Sequence, residues 1–187
     1  LWDEDGRALY FHQVRKEAGS EDIPFAGESG VKDRLWEIAL TGEYLFRRKD
    51  TNLSYIFSSE GKLIEIFDPN SNRLTLSYSG GFLCQVSNNF DKTLFFQHNE
   101  QGRIKAIKDP KGQSVLYEYL NGDLTKVTYP DHNSVGYSYD NHNLTDKYDT
   151  DLNLIGHWEY KRGRVGTYYS HLKDNTPQNR IDLKYQF

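Results

Sequence analysis

Hydrophobic positions along this chain recur with a period of about 20 residues, and each period brings them back in the same order. One apolar column is Leu63, Leu83, Ile104, Leu124, Leu144 and Val165, and two positions earlier stand Gly61, Gly81, Gly102, Gly122, His142 and Gly163. Three further columns precede these: Leu53, Leu74, Leu94, Val115, Val135 and Gly156; then Tyr55, Leu76, Phe96, Tyr117, Tyr137 and Trp158; then Phe57, Tyr78, His98, Tyr119, Tyr139 and Tyr160. The alignment of so many columns indicates a tandem repeat.

The columns predict two short β-strands and two turns in each period. Val115, Tyr117 and Tyr119 are spaced by two, so they share one face of a strand, whereas the alternate residues are mixed in character. The glycine column suits a tight turn that needs a positive φ, and pairs such as Asp109-Pro110 end the second strand. We therefore expect an all-β protein, in which tandem β-hairpins form a curled antiparallel sheet, a solenoid or shell-like strip.

One spacing leaves two interpretations open. The residues three positions after the Leu63 column are Ile66, Val86, Ile107, Val127, Lys147 and Tyr168. A spacing of three does not keep one face of a regular strand. Either the leucine belongs to the turn, or a β-bulge adds one residue to the strand.

The C-terminal end departs from the regular period. Ile181, Leu183 and Tyr185 resemble one more copy of the aromatic strand, and a longer loop around Lys173–Gln178 precedes them. We expect the hairpin array to occupy residues 53–187 with about twelve strands, each paired with its neighbours in the chain. At about 4.8 Å per strand the strip would be about 55 Å long.

The N-terminal end is also irregular. It has strand-like pieces at Arg7–Val14, Leu35–Leu40 and Glu43–Arg48. These surround an acidic, glycine-containing stretch, Glu17–Asp33. We expect residues 1–52 to form a leading β segment that caps the array.

Composition and charge narrow the class of protein. The aromatic share is 14%, and large flat side chains favour strands. The 23 basic and 27 acidic residues give a net charge of −4, which argues against sequence-independent binding of nucleic acid and gives no attraction to an anionic membrane. Cys84 is the single cysteine, so an intrachain disulfide is excluded. No apolar run approaches the length of a membrane span, and the start at Leu1 without a signal-peptide pattern favours a fragment or processed piece.

At its columns the chain resembles the Rhs/YD-repeat family, whose repeat runs approximately Tyr-x-Tyr-Asp-x-x-Gly-x-Leu-x-x-Val-x-Asp-Pro-x-Gly. The copies that match best are Tyr117–Pro130, Tyr137–Thr145 and Gly102–Gly112. Asp3–Arg7 and Gly61–Leu63 resemble the segment that opens the repeat core in bacterial members. The resemblance covers residues 53–187 well and residues 1–52 loosely.

The resemblance implies a long curled antiparallel sheet that winds into a hollow shell around a C-terminal toxin or effector. It also implies a secreted or cell-surface protein, whose partner is the remainder of the same large polypeptide, including that effector. Some members cleave themselves near the end of the core with aspartates of a closing motif. This chain has no such motif, so aspartates at Asp-Pro positions, such as Asp68 and Asp109, are interpreted as turn formers.

One stretch has the pattern of a metal site, although a simpler interpretation is available. Asp149, Asp151 and Asn153 alternate like the oxygen ligands that begin a calcium loop. Leu154 and Tyr160 stand where that loop requires glycine and glutamate. A solvated turn is the favoured interpretation.

Other residues with candidate chemistry are isolated from the partners that the chemistry needs. His132 and His142 lie in turns with no cysteine or carboxylate cluster to complete a zinc set. Glu118 and Glu159 could form a carboxylate pair for glycoside hydrolysis, but they occupy one repeat slot and are interpreted as exposed strand residues. The basic run Arg47-Arg48-Lys49 is interpreted as a solvated strand end. Two segments match the glycan-acceptor pattern, which is common by chance: Asn52-Leu53-Ser54 and Asn143-Leu144-Thr145. We predict no catalytic, cofactor-binding or metal-binding residue, and no enzyme activity.

The aromatic columns support two functional hypotheses. Burial in the sheet is the default, because a strip with an apolar face does not remain open in water. The chain is then a scaffold or shell segment of a larger Rhs-type exported protein that encapsulates or presents a C-terminal toxin or effector. The alternative is a carbohydrate-binding module that stacks its rings on sugars at a cell surface, and a hydrolase ranks third. We expect no cofactor, no nucleic-acid partner and no insertion into a membrane.

Overall fold

A computed structural model describes residues 8–16, 21–171 and 177–183, and these residues form strands and turns without a helix. The all-β prediction is therefore confirmed. The chain divides into two compact units, Leu1–Phe95 and Phe96–Phe187. Among the described residues there is no helix with the length and hydrophobicity that a membrane crossing requires. The predicted division at residue 52 into a cap and an array stays a prediction.

The strands are short, as the repeat predicts. Those of the first unit are β1 (Phe11–Gln13), β2 (Ile23–Gly27), β3 (Arg34–Ile38), β4 (Glu43–Arg47), β5 (Ser54–Phe57), β6 (Leu63–Phe67), β7 (Arg73–Ser79), β8 (Phe82–Asn88) and the first half of β9 (Thr93–His98). Those of the second unit are the rest of β9, then β10 (Ile104–Lys108), β11 (Ser114–Leu120), β12 (Asp123–Thr128), β13 (Ser134–Asp140), β14 (Asn143–Tyr148), β15 (Leu154–Lys161), β16 (Arg164–His171) and β17 (Pro177–Asp182). From Ser54 onward the described residues form thirteen strands, close to the predicted number.

Within each unit the strands pair antiparallel with their neighbours in the chain. In the first unit Tyr55 lies opposite Ile66, and in the second Tyr117 lies opposite Val127. Val127 in turn lies opposite Val135. Because opposed residues point to the same side, the apolar columns form one face of the sheet within each unit, which we call the aromatic face.

A β-bulge produces the spacing of three, so the second of the two interpretations is confirmed. Tyr119 pairs with Leu124 while Glu118 pairs with Lys126, which leaves Thr125 as an extra residue on β12. The same shift in register leaves the extra residues Ile64, Cys84, Thr145 and Gly166 in four other hairpins. The bulge returns Leu124 and Val127 to the same side of the sheet. The leucine column therefore lies in the strands.

Two kinds of tight turn join the strands. Four hairpins close with two residues of positive φ, the geometry of type I′ turns: Gly80-Gly81, Asn121-Gly122, Asn141-His142 and Arg162-Gly163. Seven other turns of the described residues have three-residue loops, as where Asp109 N donates to Gln113 O at 2.9 Å and Gly112 N donates to Asp109 O at 3.0 Å. The loops that follow β3 and β4 are longer. Gly112 has a φ of 86°, a conformation that few other residues adopt without strain. The length variation along the repeats therefore lies in the turns.

The N-terminal prediction holds for the strands but missed one of them. The predicted strand-like pieces correspond to β1, β3 and β4, with shorter bounds for β1. The acidic stretch Glu17–Asp33 also contains β2, because Ile23 and Phe25 supply two alternating apolar positions that the flanking acids obscure. Phe46 of β4, only 4% exposed, packs with Phe11 at 6.1 Å and with Tyr55 at 5.9 Å between ring centroids. Residues 1–7 and 17–20 lie outside the described residues.

The C-terminal copy of the strand is confirmed as far as the structure describes it. Ile181 of β17 lies opposite Tyr168. One period earlier Gly156 lies opposite Lys147 in the same way, so Ile181 and Gly156 occupy equivalent positions of the repeat. Tyr185 and most of the predicted loop, residues 172–176, lie outside the described residues. The last residues of that predicted loop belong to β17, which begins at Pro177.

The aromatic face is half-buried, and this qualifies the prediction of a core. Tyr117 and Tyr119 are half-buried beside the exposed Glu118, so the predicted side is the more protected one. Val127 is 6% exposed, but Leu74 and Leu94 on the same face are 41% exposed. In each unit the strands in extensive contact are neighbours within the sheet, so the rings are covered mainly by the side chains beside them.

Candidate functional site

Two tyrosines of the aromatic face bond to the preceding repeat. Tyr78 Oη donates to the carbonyl of Leu63 at 2.7 Å, and Tyr119 Oη donates to the carbonyl of Ile104 at 2.9 Å. Both bonds span 15 residues and reach the same column, the first residue of the strand in the previous hairpin. The phenol thus satisfies a backbone acceptor across the repeat boundary. We call this contact the tyrosine clasp.

A cation covers the ring in both clasps. Lys62 Nζ lies 5.6 Å from the centroid of the Tyr78 ring, and the Arg103 guanidinium lies 5.7 Å from that of Tyr119. Both cations stand directly before the clasped carbonyl, so the repeat delivers them by sequence position. Burial raises the pKa of the Tyr78 phenol above its ordinary value of 10.0, which keeps the hydroxyl a donor at neutral pH.

The bulge residue makes a second recurrent contact. Cys84 Sγ donates to the carbonyl of Ser77 at 3.3 Å, and Thr125 Oγ1 donates to the carbonyl of Glu118 at 3.3 Å. In both hairpins the acceptor lies on the facing strand at the point where the register shifts. A small hydrogen-bonding side chain therefore fits this slot, and Cys84 has a structural role there.

Asx side chains close the three-residue turns. Asp68 Oδ1 accepts from the backbone nitrogens of Asn70 at 2.8 Å and Asn72 at 2.9 Å, and Asn99 and Asp149 accept in the same manner. The side-chain bond from Asn72 is the main reason why the pKa of Asp68 lies below its ordinary value. The aspartates of these turns are therefore turn formers, as predicted from the Asp-Pro pattern.

Neighbouring turns are also bonded to one another. Asn89 accepts from Arg73 N at 3.2 Å and donates to the carbonyl of Ser71 at 3.2 Å. Thr150 has the equivalent role in the second unit, where its hydroxyl accepts from Ser134 N at 2.7 Å. These bonds span 16 to 18 residues, so they link consecutive repeats along the edge of the sheet.

The candidate calcium ligands are engaged in a turn. Asp149 Oδ1 accepts from Asp151 N at 3.0 Å and from Asn153 N at 2.9 Å. Asn153 Nδ2 donates to both oxygens of the same carboxylate. The geometry is that of a closed Asx turn. Among the described residues there is no group of three or more His, Cys, Asp or Glu side chains that could hold a metal ion.

The candidate histidines and glutamates do not converge. His132 occupies a three-residue turn with a φ of 67°, whereas His142 Nδ1 lies 3.0 Å from both oxygens of Asp123 in the preceding repeat. Glu118 is exposed beside Lys126 at 4.0 Å. Glu159 occupies the equivalent slot, two hairpins away in the sheet. The structure does not bring any two of these groups together as an acid and base.

The basic run and the acceptor patterns also have local partners. Arg47 Nε donates to Ser54 Oγ at 3.2 Å, Arg48 pairs with Asp50 at 3.1 Å, and Lys49 N donates to Asp33 Oδ1 at 2.9 Å. Asn52 lies in a turn with a φ of 56°, and Asn143 Nδ2 donates to the carbonyl of Asn141 at 3.4 Å.

One polar cluster was missed by the sequence analysis. On the side of β14–β17 opposite to the aromatic face, Asp146, His157, Tyr169 and Arg180 lie opposite one another in register. His157 Nδ1 lies 2.8 Å from Asp146 Oδ1, and the Arg180 guanidinium lies 5.7 Å from the Tyr169 ring centroid. These residues are 11 or 12 apart in sequence, so only the register brings them together.

A concavity of about 890 Å³ adjoins this cluster. Its lining includes Glu159, Thr167 and Asp182, which form a second line across the strands. Asp182 Oδ1 accepts from Thr167 Oγ1 at 3.1 Å and from Arg180 Nε at 3.0 Å. The bond to Asp182 raises the pKa of Arg180, which therefore stays charged. The four-residue turn Lys161-Arg162-Gly163-Arg164 was the sequence signal that could have indicated this site.

Comparison with known proteins gives distant structural similarity only. No family model and no curated protein sequence matches the chain. The chain is similar to the crystal structure of TcdB2-TccC3-Cdc42, with 12% identity and a TM-score of 0.42 over 87% of this chain and 14% of that one. It is also similar to TcdB2-TccC3 without its hypervariable C-terminal region, with 11% identity and a TM-score of 0.33 over 89% of this chain and 14% of that one. The chain thus spans about a seventh of the length of these proteins.

Proposed function

We propose that this chain is a structural segment of a larger Rhs-type exported protein, a piece of a β-sheet shell that encapsulates or presents a C-terminal toxin or effector. The observation that carries the proposal is the recurrence of the same contacts in successive hairpins. The tyrosine clasp, the bulge bond and the Asx turn all return at equivalent positions. The clasp joins successive hairpins, whereas the bulge bond fixes a single hairpin and the Asx turn fixes a single turn. The positions between these contacts vary freely.

The half-buried aromatic face supports a role within a larger assembly. A sheet with one apolar face reaches full stability when that face is covered. The exposed fractions of 41% at Leu74 and Leu94 leave apolar area available for the remainder of the same polypeptide. In this proposal the partner is therefore intramolecular, and the resemblance to Rhs/YD repeats supplies the identity of the assembly.

The clasp geometry favours the scaffold over the carbohydrate-binding alternative. Sugar stacking requires an open ring face and is usually joined by hydrogen bonds from free polar groups. The hydroxyls of Tyr78 and Tyr119 are already committed to backbone carbonyls, and Lys62 and Arg103 lie over their rings. These rings are therefore poorly placed to accept a sugar.

Limited proteolysis of the parent polypeptide tests the shell role. If the strip encloses an effector, the effector segment resists protease in the wild type and becomes sensitive when the strip is destabilised by Tyr119→Ala. Leu120→Ala is the matched control, because that neighbouring side chain is 64% exposed. An effector segment cleaved in the wild type as fast as the isolated effector would show that the strip does not enclose it.

A glycan array on the purified chain tests the alternative separately. The scaffold proposal expects no neutral glycan whose binding depends on the aromatic columns. Binding that Tyr117→Ala or Tyr137→Ala abolishes, with the melting temperature unchanged, would establish the carbohydrate-binding module instead.

A further inference from the structure

The turn between β15 and β16 differs from the other type I′ turns in the chain. The equivalent four-residue segments are Ser79-Gly80-Gly81-Phe82, Leu120-Asn121-Gly122-Asp123 and Asp140-Asn141-His142-Asn143. Here the segment is Lys161-Arg162-Gly163-Arg164, with three cations in four residues. Arg162 has a φ of 52°, where the other turns place glycine or asparagine. A left-handed conformation costs a residue such as arginine about 1 kcal/mol or more, and such strain is commonly found at functional positions.

The extra residue of the β-bulge next to this turn is also different. In the bulge slot, Cys84 and Thr125 each place a donor on the facing carbonyl, but this hairpin has Gly166. A Cβ at Gly166 would lie 3.7 Å from the Glu159 carbonyl oxygen and 3.4 Å from Lys161 Cβ. The glycine therefore leaves space beside that carbonyl, which receives no donor from the bulge side chain.

The concavity at this position is positively charged, although the chain as a whole carries a net charge of −4. Its lining contains the cations Lys161, Arg162, Arg164 and Arg180 and the carboxylates Glu159 and Asp182, a formal excess of two positive charges. Arg180 is paired with Asp182 at 3.0 Å, and Arg164 also has a partner within the chain, so Lys161 and Arg162 are the cations that a ligand would meet. A cationic concavity concentrates anions at its surface.

The remaining lining groups restrict the kind of anion. The two carboxylates of the lining are acceptors, which favour a ligand with hydroxyl donors and disfavour a polymer that is charged at every unit. The nearby Tyr169 ring is covered by the Arg180 guanidinium, so it is not open for stacking of a nucleobase. A volume of about 890 Å³ is large enough for a few sugar rings.

We propose that this concavity, which we call the basic concavity, binds an acidic saccharide through Lys161 and Arg162. The sulfate or carboxylate group lies against the turn, and sugar hydroxyls donate to Glu159. The site includes Glu159, Thr167 and Asp182 on the side of the sheet opposite to the aromatic face, and it does not depend on the shell role. Loss of the site would leave the scaffold proposal intact.

Binding of a size-defined hyaluronan hexasaccharide, which has a carboxylate on alternate sugar units and free hydroxyls on every unit, is measured with the full chain by isothermal titration calorimetry and tests the proposal. The variant Arg162→Asn with Lys161→Gln removes two charges, and asparagine is the residue that two other type I′ turns have at the position of Arg162. We expect the double variant to bind at least about tenfold more weakly, because charge-assisted hydrogen bonds are the strong ones. We also expect it to unfold at the same or a higher temperature.

Three controls make the result decisive. Lys111→Gln removes a charge from the exposed turn before β11, which is four strands away from β15 in the sheet, and should leave the affinity unchanged. A neutral maltohexaose should not bind, and a single-stranded oligonucleotide of matched charge should bind more weakly than the hexasaccharide. The proposal is wrong if the hexasaccharide does not bind, if Lys111→Gln weakens binding as much as the double variant, or if the oligonucleotide binds as tightly.

Discussion

The tyrosine clasp gives the sharpest test of how the repeats are held together. Tyr119→Phe deletes the hydroxyl that donates to Ile104 O at 2.9 Å and keeps the half-buried ring under Arg103. The substitution therefore isolates one inter-repeat hydrogen bond. Such a bond contributes about 1 kcal/mol net, since water hydrates both groups in the unfolded chain. For a chain of this size, that loss corresponds to a fall in the melting temperature of about 2–4 °C.

The assay is thermal and urea unfolding of the full chain, followed by circular dichroism. Tyr117→Phe is the matched control, because its ring lies on the same strand and face and no hydrogen bond of its hydroxyl is found among the described residues. The control should change stability by less than about 0.5 kcal/mol. Tyr78→Phe removes the equivalent clasp in the first unit and should cost as much as Tyr119→Phe.

Two results would refute this reasoning. If Tyr119→Phe and Tyr117→Phe had the same effect, the clasp would make no specific contribution. If Tyr78→Phe were neutral while Tyr119→Phe was costly, the contact would be local to one hairpin and would not be a property of the repeat.

The other predictions concern the turns, the ring column and pH. Gly122 has a φ of 98°, and an added Cβ would lie 3.2 Å from Arg103 Nη2, so Gly122→Ala should destabilise the chain by about 1 kcal/mol or more. Gly136 has ordinary strand geometry, and an added Cβ would lie 3.6 Å from its nearest neighbour, so Gly136→Ala should leave the urea midpoint unchanged. Tyr137→Ala should cost about 2–3 kcal/mol, less than for a fully buried ring, and Ser138→Ala almost nothing. Burial raises the folded-state pKa of Tyr78, so the stability that its neutral phenol contributes is present below pH 10.0 and is lost as the pH rises through the folded pKa. The fall in the unfolding midpoint at alkaline pH should therefore be smaller in Tyr78→Phe.

The Asx turns should make stability depend on pH in the acid range, because the pKa of Asp68 is lowered in the folded chain whereas that of Tyr78 is raised. Bonds from Asn72 hold the pKa of Asp68 below 3.8 in the folded chain, so the stabilising effect of that carboxylate is present above the unfolded pKa and is lost as the pH falls through the folded value. Asp68→Ser keeps a turn-forming hydroxyl and should flatten that acid limb. An unchanged limb, measured by unfolding midpoints between pH 5 and pH 2, would contradict the assignment.

The sequence predicted the class of fold because the repeat shows the same alternation several times. Tyr117 and Tyr119 share a face for reasons of strand geometry alone, and the glycine column marked the turns. The bulge could only be left open, since a spacing of three after Leu124 is compatible with a turn residue as well. β2 was missed because two apolar residues, Ile23 and Phe25, are too few to stand out in an acidic stretch.

The polar cluster and the basic concavity could not be predicted in the same manner. Asp146, His157 and Tyr169 come from three strands, and their proximity depends on a register that the bulges shift by one residue each. The half-burial of the rings also lay beyond the pattern, because a column shows which side is more protected but not how deeply. The charges of the turn at Arg162 are evident in the sequence, but the left-handed backbone conformation of that residue is not.

Hydrogen exchange of the full chain, measured by mass spectrometry at single-residue resolution, tests the central claim that tandem hairpins with recurrent inter-repeat contacts make up this protein. We expect protected amides in both strands of every hairpin and fast exchange in the loops, so that protection rises and falls twice in each period of about 20 residues. Amides of the strands that the tyrosine clasps join should be among the last to exchange. Protection confined to one segment, or protection without the period, would contradict the account.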